Sequence, residues 1–255
     1  MSEQVLEQKK VTADKAERLC RLSYGGETQA GSAGLANQDS IALLHPESRA
    51  FAQKGALFVV ADGLGGYAGG DVASAMVCRE LPGVYYQMPA GDCAAANLRH
   101  AVLQMNETLY AASSAPGENH GMCTTVVAAV VRDHAVSIVH VGDSKGYVIR
   151  RGTIVYATTD HAVHVPTFDL GGRRFLTQSL GAQEHVNPAA INLRLMPGDL
   201  VLLCTDGLTD ALPLQELLRH SSLGAPSETA RSLVAAARER GGTDDISVIV
   251  VKVAE

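Results

Sequence analysis

The sequence predicts an α+β fold, on three observations. Short β-branched runs cluster with one another, and Ala-rich amphipathic stretches do the same, where a doubly wound fold would alternate them. Many of the runs are bounded by Gly, Pro or Asp, so neighbouring strands read as antiparallel hairpins. The chain has 255 residues, 46% of them hydrophobic and 19% charged, enough to bury the core of one domain and too apolar for intrinsic disorder.

Taken in order, Met1 to Cys20 is polar and mixed in charge, so residues 1–20 read as a leader and residues 21–255 as a single domain. Strands are predicted at Ser40–Leu44, Ala56–Ala61, Thr124–Val131, Ala135–Val141, Tyr147–Arg150, Thr153–Tyr156, Ile191–Leu195, Asp199–Cys204 and Ile246–Val253. Helices are predicted from Asp71 to about Tyr86, from Ala94 to about Ala112 behind an Asp92 cap, over Leu214–His220, and over Glu228–Arg240 between a Ser227 cap and a Gly241-Gly242 stop. Ala30–Gly34, Ser113–Gly121 and Val165–Arg174 read as loops too short to separate domains. The apolar face carrying Val102, Leu103, Met105, Leu109 and Tyr110 reads as core.

Charge and cysteines narrow the function. A formal net charge of −6 has the wrong sign for binding nucleic acid or anionic lipid. The five cysteines form no C-x-x-C pair, which suits reduced thiols, and Cys204 reads as a small core residue. No apolar run reaches spanning length. The expectation is a soluble cytoplasmic protein with no nucleic-acid or membrane partner.

The chemistry concentrates where apolar runs meet aspartate beside glycine. FVVADGLGG ends on Asp62, IVHVGDSKG on Asp143 and LVLLCTDG on Asp206, while GGTDDISVIVV places Asp244 and Asp245 ahead of a strand. Any one Asp-Gly after a strand is ordinary turn chemistry. Four such junctions together suggest carboxylates gathered at sheet ends, which are costly unless a cation compensates them. An oxygen-only donor set suits a hard ion such as Mg²⁺ or Mn²⁺, with the carbonyl of Gly63 available as a further ligand.

These motifs, in this order, resemble the metal-dependent protein serine/threonine phosphatases, the PPM or type 2C family, in its bacterial form. The resemblance spans about Thr28 to Val253. It rests on Asn37-Gln38-Asp39-Ser40, Val60-Ala61-Asp62-Gly63-Leu64-Gly65-Gly66, Gly70-Asp71-Val72-Ala73-Ser74, Gly121-Met122-Cys123-Thr124-Thr125, Val141-Gly142-Asp143-Ser144-Lys145-Gly146-Tyr147, Thr159-Asp160-His161, Leu176-Thr177-Gln178-Ser179-Leu180-Gly181 and the two last aspartate motifs. It implies a four-layer αββα sandwich of two mainly antiparallel sheets flanked by helix pairs, with a metal cluster at one end. It further implies that Asp62 bridges two Mn²⁺ or Mg²⁺ ions, that the Gly63 carbonyl, Asp206 and Asp244 complete the site, that Asp39 holds a metal-bound water, and that Asp143 helps to bind a third, weaker ion. The implied substrates are phosphorylated proteins, and the implied partner in signalling is a Ser/Thr protein kinase.

The chain departs from the pattern at several places. Gly34 stands where the family's phosphate-gripping arginine usually is, so Arg173 and Arg174, in a flap segment that looks short between His161 and Leu176, are the candidate replacements. Leu64 stands where animal relatives carry a proposed acid histidine, leaving Tyr67 as a candidate proton donor. Asp245 in place of Asn and Cys123 in place of Gly are milder changes, and His161 and His164 receive no catalytic role. Two other readings stay open on these departures: a phosphatase-fold binding or regulatory module with impaired turnover, and a phosphatase of a small phosphomolecule.

Overall fold

A computed structural model of the protein describes residues 22–32, 36–45, 53–64, 69–89, 93–117, 119–165, 173–221 and 224–254. Gly34, Tyr67 and Asp92, the leader and Cys20 lie outside them, and so does the side chain of Arg173.

The central strands are apolar on both faces, and this sets the architecture. β3 (Ala56–Asp62) buries six consecutive residues, as does β4 (Val126–Arg132). Because side chains alternate across a strand, a run buried at every position needs cover on both sides. Leu57, Val59 and Ala61 pack on the helix pair α1 (Gly70–Gln87) and α2 (Ala94–Ser114), through Val77, Leu81, Leu98 and Leu109. Phe58 and Val60 point the other way and meet Val201, Leu203, Ile249 and Val251 of the opposite sheet. On that sheet's far side Leu202, Val248 and Val250 pack under the remaining helices through Leu208, Leu217 and Leu233. Three buried layers therefore separate four structural layers, the αββα sandwich expected.

Both sheets are antiparallel throughout. One runs β1 (Leu22–Gln29), β12 (Ile246–Val253), β11 (Leu200–Cys204), β6 (Lys145–Arg150), β7 (Thr153–Ala157); the other runs β10 (Ala189–Arg194), β5 (Ala135–Val141), β4, β3, β2 (Asp39–Leu44). The edge strands β7 and β10 alternate exposed and half-buried residues, as solvent on one face requires. β8 (Ala162–Val165) and β9 (Arg173–Leu176) pair only with each other, as a separate hairpin.

The structure adds to the expected elements and moves some bounds. β1 was not expected from a segment carrying Gly25-Gly26, yet Gly25 is the point where the backbone of Ser227 comes so close that an added Cβ would sit 2.5 Å from it. The region read as a loop from Val165 holds the β8–β9 hairpin at its two ends. Helices α3 (Asp206–Ala211) and α4 (Leu214–Ser221) follow β11, the first of them unexpected at six residues. α5 (Pro226–Glu239) begins two residues ahead of the expected start at Glu228: Pro226 takes the first turn, where its missing N–H costs nothing, and the Glu228 carboxylate accepts the Ala225 N–H at 3.1 Å. Its expected stop holds, with Gly241 left-handed at φ 84°.

Candidate active site

Antiparallel pairing brings the aspartates to one end. Asp39 opens β2 and Asp62 closes β3, and the two are direct cross-strand partners. β5 runs parallel to β3 with β4 between them, so Asp143, just beyond β5, lies at the same end of that sheet. In the other sheet the end of β11 and the start of β12 coincide, which gathers Asp206 and Asp244. The sheets meet there where the Thr205 hydroxyl donates to Asp39 Oδ2 at 2.9 Å.

The backbone that carries Asp62 and the turns after Asp62 and Asp206 are tightly held. The amide of Thr125 and the hydroxyl of Thr124 both donate to the Asp62 carbonyl, at 2.8 and 2.7 Å, while the Asp62 N–H donates to Thr125 Oγ1 at 3.1 Å. Thr125 Oγ1 is in turn 2.7 Å from Ser144 Oγ, next to Asp143. Threonines 124 and 125 thus fix the end of β3 and leave the Asp62 carboxylate free. Gly63 is packed so closely that a Cβ would lie 2.1 Å from the Gly70 carbonyl oxygen and 2.7 Å from that of Gln38. Gly207 after Asp206 is equally tight, with an added Cβ 2.1 Å from the Asp245 carbonyl oxygen. Asp245 itself accepts the N–H groups of Gly31 and Gln38 at 2.6 and 2.7 Å, a structural tie that Asn at this position would make more weakly.

The crowding shows in the protonation equilibria. Burial, and then the charges of Asp39, Asp206, Asp244 and Asp143, hold the Asp62 carboxyl well above the usual carboxylate range. Burial raises Asp39 to about 7 against the pull of hydrogen bonds from Ser247 and Thr205. Asp206 is raised to about 6 by burial, with Asp143 and Asp210 adding to it and Arg174 opposing. Asp39 Oδ1 is buried and has no hydrogen-bond partner among the described residues.

Arg174 is the cation within reach. Its Nη2 lies 2.7 Å from Asp143 Oδ2 and 2.9 Å from Asp160 Oδ2, and its Nη1 lies 3.5 Å from Asp206 Oδ2 and 3.7 Å from Asp210 Oδ1. The guanidinium expected to meet a phosphoryl group is paired here with carboxylates. Among the described residues no three His, Cys, Asp or Glu side chains are already drawn together as a metal-ligand set. The donors nevertheless fit a hard divalent ion: oxygens only, carboxylates whose protonated form is favoured by burial and by one another's charge, and a buried oxygen on Asp39 with no hydrogen-bond partner among the described residues.

The protein phosphatase 2C family model matches residues 28–239. The chain belongs to this family. The serine/threonine protein phosphatase PstP of Mycobacterium tuberculosis is 30% identical over 245 residues, covering 92% of this chain, and the chain spans about half the length of that relative (45%). The serine/threonine phosphatase Stp of Listeria welshimeri is 30% identical over 213 residues, 77% of this chain and 84% of the relative. Among solved structures, the PstP catalytic domain in complex with two manganese ions aligns at TM-score 0.74 and 29% identity, over 93% of this chain and all of that one. Stp1 from Staphylococcus aureus aligns at TM-score 0.80 and 27% identity, over 92% and 96%.

Within this phosphatase 2C chain several site residues escape a reading by motif. Asp160 sits in Thr159-Asp160-His161 and bears on the site through Arg174, through an ion pair with Lys145 and through its charge beside Asp143. Asp210 lies one helical turn after Asp206, a same-face spacing that is informative only once α3 is known. Thr205 and Ser247 interlock, the Ser247 N–H donating to Thr205 Oγ1 at 3.0 Å, and no pattern marks a hydroxyl that acts across two sheets. His161 stacks on His140 at 4.7 Å and accepts the Gly142 N–H at Nδ1, a structural position. His164 lies on the exposed hairpin. Cys204 is fully buried.

Proposed function

We propose that this chain hydrolyses phosphoserine and phosphothreonine on proteins, in the cytoplasm and in opposition to a Ser/Thr protein kinase, with two Mn²⁺ or Mg²⁺ ions held by Asp62, the Gly63 carbonyl, Asp206 and Asp244. Residues 21–255 act as one catalytic domain in this reading. The observation that carries it is the convergence of Asp39, Asp62, Asp143, Asp206 and Asp244 from both sheets on one end of the sandwich, with too little positive charge among them. The relatives named serine/threonine phosphatases support the substrate class, and the two manganese ions of the PstP structure support the cofactor. No helix among the described residues is long and apolar enough to cross a membrane.

Bound divalent ions supply charge neutralisation at phosphoryl oxygens and a water of lowered pKa. The chain's own residues do the rest. Asp62, with its backbone pinned by Thr124 and Thr125, presents both carboxylate oxygens without needing to reorient. Asp39 is held at Oδ2 by Thr205, so Oδ1, without a hydrogen-bond partner among the described residues, is the atom that accepts a proton from an attacking water. The glycine contacts at Gly63 and Gly207 fix the turns on which two of the ligands sit.

The test compares kcat/KM for a phosphothreonine peptide and for a small phosphomonoester, over a Mn²⁺ titration with an EDTA control. Metal-dependent turnover that favours the peptide is expected, and Asp206→Asn should lower it by at least ~100-fold, the loss of a few kcal/mol of charge stabilisation. A folded chain that binds phosphopeptide without turnover at saturating Mn²⁺ would contradict the proposal and favour the binding module.

A further inference from the structure

We infer that Arg174 is the resident cation of the outer half of this site: its guanidinium occupies the space between Asp143, Asp160 and Asp206 that a further divalent ion would need, so that the chain binds two ions and excludes a third. The inference rests on the proposed metal centre and goes beyond it.

Charge and placement both lead here. Asp39, Asp62, Asp143, Asp160, Asp206, Asp210 and Asp244 bring seven carboxylates to one end of the sandwich, and the side-chain cations paired with them among the described residues are Arg174 and Lys145. Both of those cations sit at the outer carboxylates, so the positive charge already present lies on the side where a further ion would bind. The inner carboxylates and the outer ones also differ in their partners. Asp39 and Asp62 have no cationic side chain within ion-pair distance among the described residues, whereas Asp143 and Asp160 are both within 3 Å of the same Arg174 nitrogen. Arg174 is three-quarters buried and lies within ion-pair distance of four carboxylates at once, its Nη2 closest to Asp143 and Asp160 and its Nη1 farther off, at 3.5 and 3.7 Å, from Asp206 and Asp210.

Arg174 also fixes the β8–β9 hairpin, whose strands join neither large sheet. It forms the partition between two grooves, of about 660 and 550 Å³. The first, beside Leu64 and Phe175, is lined by Tyr110, His120 and Gln183; the second, beside Lys145 and Asp160, by Thr209 and Leu214. Arg174 is thus a positioning residue: it sets how many ions the cluster accepts and where the hairpin wall stands.

The experiment counts bound Mn²⁺ per chain by calorimetric titration and locates the ions by anomalous scattering in crystals grown at high Mn²⁺. Wild type and Arg174→Lys, which keeps the charge, should each hold two ions. Arg174→Met, which keeps the stem and removes the charge, should gain a third at Asp143, with circular dichroism confirming that it folds. Three ions in the wild type, or two in a folded Arg174→Met, would overturn the inference while leaving the metal centre standing. No bound Mn²⁺ in any of the three proteins would overturn both.

Discussion

At the residue scale, a few atoms hold Asp39 and the turn after Asp62 in place. Thr205 joins the two sheets by donating to Asp39 Oδ2 and accepting from the Ser247 N–H. Thr205→Val keeps the shape and removes both bonds, leaving a buried carboxylate and a buried amide unsatisfied. Chemical denaturation should show a loss of about 1–3 kcal/mol, and catalysis should fall with it because Asp39 is no longer oriented. Unchanged stability would mean that water replaces the hydroxyl without cost. Gly63→Ala meets the Gly70 and Gln38 carbonyl oxygens at 2.1 and 2.7 Å. The turn has to shift, at a cost of about 1–3 kcal/mol, and Mn²⁺ affinity measured by calorimetry should fall by more than stability alone explains.

At the element scale, strands buried on both faces make the sandwich. Leu57 is fully buried in β3 against the α1–α2 pair. Leu57→Ala should cost about 2–5 kcal/mol by urea denaturation, and a loss below 1 kcal/mol would mean that the helix layer collapses freely onto the sheet. The continuous Val/Leu runs made these strands legible in the sequence, because burial on two faces leaves no polar alternation to interrupt them. Asp62, Asp143, Asp206 and Asp244 were legible for the same reason: the first three stand where an apolar run ends and Asp244 just before one begins. β1 was not, since its exposed and half-buried residues and paired glycines carry a weak pattern, and its place is set by pairing with β12 more than 200 residues away. The β8–β9 hairpin was hidden likewise. Its four-residue strands are mostly solvated, and Arg174 is aimed by tertiary contacts with Asp143 and Asp206 that no local pattern encodes.

At the scale of the whole molecule, the clustered carboxylates couple folding to pH and metal. Asp39 and Asp206 titrate near 7 and 6 when folded, and burial holds Asp62 well above the usual carboxylate range, against about 4 for an unfolded aspartate. The metal-free folded chain therefore binds more protons than the unfolded chain between about pH 4 and 7, so these groups stabilise it at low pH and lose that contribution as pH rises. The metal-free melting temperature should fall from pH 5 to pH 8, less so in Asp39→Asn, and Mn²⁺ should raise it more at pH 8 than at pH 5 because binding displaces protons. An Asp39→Asn slope equal to that of the wild type would remove Asp39 from this coupling. The most direct measurement of the central claim is phosphothreonine-peptide hydrolysis by purified wild type and Asp62→Asn across a Mn²⁺ titration. The account predicts turnover that rises with Mn²⁺, disappears in EDTA and falls at least ~100-fold in the variant; equal turnover in the two proteins would contradict it.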